Sequence, residues 1–122
     1  MKPDAFERVV QEVLAELPQD LRKALDTVQI VVQESPRSDD LDRSGMEPNG
    51  DLYGIFDGVS LPEKSAVNPD PFPDRVVLFR RALLEDFPRK AELKREIRIT
   101  LIHELGHFFG MDEDDLAARG YE

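Results

Sequence analysis

HELGHFFGMDED, residues 103 to 114, decides how this chain is read. It holds His103 and His107, the only two histidines of the protein, with Glu104 beside the first. On a helix, residues i and i+4 lie one above the other, about 5–6 Å apart at Cβ. Two imidazoles so placed can share one metal ion, and a glutamate next to the first can reach a water molecule there. Burying an ionised glutamate costs several kcal/mol unless it is paired, and a divalent cation offsets that cost. His103 and His107 are therefore candidate metal ligands, and Glu104 is a candidate general base. The plainer alternative is a pair of core histidines bonded to backbone carbonyls, with Glu104 turned to solvent.

A catalytic zinc usually takes three protein ligands and leaves one position open. The third cannot be histidine, because the chain has no more, nor cysteine, because it has none. Gly110 can take a left-handed conformation, end the helix and turn the chain back. The residue six past His107 is Glu113, the preferred third ligand. Asp112, Asp114 and Asp115 are its rivals, although most of such an acidic run would serve to cap a helix. Zinc is the expected cofactor; manganese, iron and nickel accept the same nitrogen and oxygen donors. Tyr53, Tyr121 or a backbone N–H could stabilise an oxyanion, with Tyr53 equally at home as a strand residue.

The sequence around this motif reads as one globular domain over residues 1–122. It is 40% hydrophobic and 34% charged, which suits a folded rather than a disordered chain. The formal charge of −10 repels phosphate, so neither nucleic acid nor an anionic membrane is an expected partner. No apolar run approaches the roughly 18 residues that span a bilayer. MKPDAFERVV has no long apolar core and does not read as a secretory signal. With no cysteine either, a cytoplasmic location is expected. Oligomeric state is not legible.

Periodicity predicts a helix over 4–17, with Phe6, Val9, Val10, Val13, Leu14 and Leu17 as its apolar stripe. Asp4 and Glu7 have capping-box spacing. Pro18 can open a second short helix, with Leu21, Ala24 and Leu25 inward. VQIVVQ (28–33), LYGIF (52–56) and RVVLFRRAL from Arg75 read as strands. Residues 34–50 and the proline-rich stretch after Gly58 read as loops. The last long helix begins near Asp86 or Pro88 and runs to Phe109, apolar nearly all round in its second half and hence buried. A final short helix follows in DEDDLAARG.

FERVVQEVLAELPQDLRKAL, DLYGIFDGVSL, DRVVLFRRAL and HELGHFFGMDEDDL together resemble the minimal zincin-like metallopeptidases, small single-domain proteins with the motif HExxHxxGxxD. His103, Glu104, His107 and Gly110 match that motif; Glu113 stands where aspartate is usual, which leaves Asp112 or Asp114 as substitutes. The resemblance covers nearly the whole chain. It implies an α+β fold, in which a small mixed sheet packs on the HExxH helix beside an N-terminal helix. It also implies zinc-dependent hydrolysis of a peptide or protein substrate. In zincins an edge strand above the helix can pair with an extended peptide, and RVVLFR or LYGIF could play that part. The alternative is a non-catalytic metal-binding or protein-interaction module on the same fold. A third reading is hydrolysis of a small amide.

Overall fold

The computed structural model describes residues 2–37, 53–58 and 74–119, and at Glu113 the backbone alone. The loops expected at 38–50 and 59–73, and Tyr121, lie outside the described residues. The first helix, α1 (Pro3–Glu16), buries Phe6, Val9, Val10 and Val13, the face the 3.6-residue period selects. Its start departs from expectation: Pro3 occupies the first helical turn, Lys2 is the N-cap and no side chain caps the end. Proline's fixed φ suits that position and replaces the anticipated Asp4–Glu7 box. After Pro18, α2 (Gln19–Arg22) continues into a 3-10 turn (Lys23–Asp26), placing Leu21 and Ala24 in the core.

Among the described residues three short strands form one sheet: β1 (Gln29–Gln33), β2 (Gly54–Asp57) and β3 (Arg75–Phe79). Their order is β1-β3-β2, with β1 parallel and β2 antiparallel to the central β3. The alternation of side chains along a strand sorts them cleanly. Val76 and Leu78 join the helical core, while Val77 and Phe79 cluster on the opposite face with Ile55 and Val31. Burial of β3 on both faces explains its near-continuous apolar run. Of the two strands considered as a substrate-facing edge, RVVLFR is therefore the centre of the sheet, and LYGIF supplies the edge strand β2.

The third predicted strand is shorter than its apolar pattern suggests. At Arg80 the chain becomes a helix, α3 (Arg80–Asp86), with Leu83 fully buried. RRALLED is composed almost entirely of good helix formers, and that propensity prevails once the sheet partner ends. The long helix α4 (Lys90–Phe108) then passes beneath the sheet. Its N-terminal half is charged outside but not merely exposed: Leu93 and Ile97 are fully buried, in one core with α1. Lys94 reaches Glu16 at 3.1 Å and Glu12 at 3.7 Å across the same junction. The hydrogen bond to Glu16, aided by both carboxylates, keeps the Lys94 ammonium charged to higher pH than usual. The short α5 (Glu113–Ala118) closes the described fold. No helix among the described residues is long and apolar enough to cross a membrane.

The burial of α4 sets the stability of the whole arrangement. Leu101→Ala, at a residue with no exposed surface, should lower the unfolding free energy by about 2–5 kcal/mol. Ile99→Ala, where 42% of the side chain is exposed, should cost about 1 kcal/mol or less. Urea denaturation followed by circular dichroism measures both.

Candidate metal centre

His103, Glu104 and His107 occupy the last two turns of α4. The imidazole rings of His103 and His107 meet edge to face with centroids 4.9 Å apart. Glu104 is 9% exposed, and its Oε1 lies 3.4 Å from His107 Nδ1. One donor atom from each of the three falls within 4.8 Å of the others. A zinc–nitrogen bond is about 2.0–2.1 Å long, so two nitrogens on one ion stand at most about 4 Å apart, close to the spacing found here. Imidazole and carboxylate donors without thiolate suit zinc and its neighbours in the first transition row. The donor set therefore fits a divalent transition metal.

The edge strand lies directly over this part of the helix. Gly54 approaches Thr100 so closely that a Cβ there would stand 2.7 Å from the Thr100 methyl group. The Phe56 amide N–H donates to Glu104 Oε1 at 2.9 Å, and the Phe56 ring meets Phe108 edge-on with centroids 6.0 Å apart. Thr100, Glu104 and Phe108 are spaced four apart, so they form a single row along α4, and β2 runs along that row. The direction of the amide follows from the pairing. Phe79 N–H donates to Tyr53 O, which in an antiparallel ladder turns the peptide groups of residues 55 and 57 toward β3 and those of 54 and 56 away from it.

This backbone donor escaped the sequence reading, because an amide proton has no signature of its own. Glycine inside a strand was the available signal: it marks close approach of another element. Tyr53, weighed as an oxyanion donor, instead donates its hydroxyl to the Asp86 carboxylate, and its ring packs at 5.5 Å on Phe87.

Beyond His107 the chain turns as the glycine predicted. Gly110 has φ 74°. Its N–H bonds His107 O, and Met111 N–H bonds Gly106 O, the paired hydrogen bonds of a Schellman turn. The turn delivers Asp112 as the N-cap of α5. Asp115 N–H donates to Asp112 Oδ1 at 2.8 Å, and Asp112 N–H returns a bond to Asp115 Oδ2 at 3.1 Å. Both carboxylates thus act as caps, the role expected of most of the acidic run, while Asp114 is exposed. Glu113 begins α5; its side chain lies outside the described residues. Gly106 fixes how α5 sits, since a Cβ at that position would be 2.9 Å from Leu116 Cδ2.

The family model for zincin-like metallopeptidases matches residues 25–121, and the chain belongs to that family. A search of curated proteins found no match. Among solved structures, a conserved hypothetical protein from T. thermophilus superposes with a TM-score of 0.59 at 21% identity. The alignment covers 97% of this chain and 99% of that one. At that identity the likeness concerns the fold.

The left-handed residue carries a clear cost for any side chain. Gly110→Ala should destabilise the protein by about 1–2 kcal/mol, and Gly110→Asn by less, since asparagine tolerates this conformation. Urea midpoints of the two variants should fall in that order below the wild type.

Proposed function

We propose that this member of the zincin-like metallopeptidase family is a zinc-dependent peptidase, with His103, His107 and Glu113 as metal ligands and Glu104 as general base. The observation that carries the proposal is the convergence of two imidazole nitrogens and a nearly buried carboxylate within 4.8 Å of one another, beneath an edge strand. Burial of Glu104 among apolar residues makes little sense as a stability device. An unpaired carboxylate there costs free energy that a leucine would not.

A bound divalent ion supplies electrophilic polarisation of a carbonyl and a lowered pKa for water. The protein supplies the rest. Glu104 accepts a proton from the attacking water at a carboxylate oxygen and returns it to the departing amine nitrogen. The two histidines, fixed one helical turn apart, hold the electrophile at the same end of α4. Glu113 enters as third ligand from the first turn of α5, where the Schellman turn returns the chain. Its extra methylene relative to the family's aspartate lengthens the reach from that backbone position. An extended peptide substrate pairs along β2, the edge strand whose Gly54 peptide groups and Phe56 carbonyl face away from β3, the Phe56 N–H being given to Glu104.

Removing the base separates catalysis from metal binding. Glu104→Gln should keep zinc at wild-type stoichiometry while peptide cleavage falls about 10²–10⁴-fold, the usual worth of a general base. A quenched peptide library with zinc analysis by plasma emission checks both. Loss of zinc in Glu104→Gln, or full retention of activity, contradicts the assignment. Zinc binding without cleavage in the wild type favours a metal-binding module, and cleavage of small amides alone favours an amidase. His103→Ala should abolish zinc binding, and Glu113→Ala should weaken it. Retention of wild-type zinc affinity in Glu113→Ala would move the third ligand to Asp112 or Asp114.

A further inference from the structure

We propose that the edge strand β2 is the positioning element for the Glu104 carboxylate, acting through the backbone amide of Phe56. This inference rests on Glu104 being the general base. Glu104 is nearly buried, and a buried carboxylate takes its orientation from whichever donors reach it. Among the described residues two groups come near its Oε1: the Phe56 amide at 2.9 Å and His107 Nδ1 at 3.4 Å. Only the first is within hydrogen-bond distance for a good N–H···O contact. If His107 turns its ring nitrogen to a metal, the amide is left as the donor that fixes the carboxylate.

The amide is suited to that role. It sits on the outward side of an edge strand, so donating to Glu104 takes no hydrogen bond from the β2–β3 ladder. Its reach is set two residues earlier. The missing side chain of Gly54 lets β2 settle against Thr100, where any Cβ would be 2.7 Å from the methyl group and 3.0 Å from Val77 O. The Phe56–Phe108 ring contact anchors the strand on the other side of the amide. Gly54, the Phe56 amide and the Phe56 ring therefore engage Thr100, Glu104 and Phe108 in register. A strand lifted at Gly54 loses the contact at Glu104 without any change in the ligand residues.

Gly54→Ala tests the device, with Thr100→Ser as the relieving partner because serine lacks the crowded methyl group. Two readouts are taken on the full chain. The first is the Phe56 amide resonance in nitrogen–proton correlation spectra of the metal-free protein. It should move upfield in Glu104→Gln and in Gly54→Ala, and return toward the wild-type position in Gly54→Ala/Thr100→Ser. The second is peptide cleavage by the zinc-loaded protein. A shift of about 1 Å at a reacting group costs about 10²-fold, so kcat of Gly54→Ala should fall by up to that factor. Zinc stoichiometry should hold, and the double variant should recover part of the loss. Thr100→Ser alone should retain kcat.

A Phe56 resonance indifferent to Glu104→Gln, or wild-type kcat in Gly54→Ala, overturns the positioning role and leaves the peptidase reading intact. A double variant no better than Gly54→Ala in either readout overturns it as well, since the loss is then not relieved by freeing the strand. A wild-type protein that binds zinc, shows the amide response and cleaves no peptide overturns the catalytic reading and the positioning role with it. The hydrogen bond is then a structural contact.

Discussion

The hydrogen bond from the Phe56 amide to Glu104 joins the two halves of this small fold. On one side of it lies the sheet, whose edge strand would be an exposed row of donors and acceptors. On the other lies the helix that carries both candidate histidine ligands and Glu104. A nearly buried carboxylate cannot remain there without partners, and the strand provides one from its own backbone. The fold and the site therefore share a single helix. One row of α4, holding Leu93, Ile97, Leu101 and Leu105, is fully buried core. The adjoining row lies under β2, and the histidines face the remaining side.

Fold and candidate site thus draw on the same few residues. The candidate histidine ligands lie in the last two turns of α4, the longest helix among the described residues, where the backbone is already held by core packing. Gly106 stands between the two halves of the motif and admits Leu116 of α5 against the helix. Gly110 reverses the chain directly after it. Both glycines serve geometry: one by close approach, the other by its left-handed backbone. Asp112 and Asp115 cap α5 reciprocally and so hold the turn that brings Glu113 around.

Much of this was legible in the residues, for identifiable reasons. The 3.6-residue period of α1 and the i, i+4 spacing of His103 and His107 are local patterns, and local patterns survive into structure. Gly110 was readable because few residues accept its conformation. The start of α1 was misread because a proline at the first turn does the work assigned to a capping pair. The end of β3 was misread because VVLFRRALL is apolar throughout apart from its two arginines, and only pairing with β1 and β2 shows that the strand stops at Phe79. The strand order was not legible, since register and neighbours are set by contacts distant in sequence. That order decides which strand overlies Glu104. The acidic run after Gly110 offered four carboxylates of equal chemistry, of which Asp112 and Asp115 serve as caps.

Central to the proposed function is one divalent ion, to be held by both imidazoles of α4 together with a carboxylate oxygen. X-ray absorption at the zinc edge of the zinc-loaded protein examines that coordination directly. The expected result is a first shell of nitrogen and oxygen at about 2.0–2.2 Å, with outer-shell scattering from two imidazole rings. An oxygen-only shell, or the signature of a single ring, would contradict it.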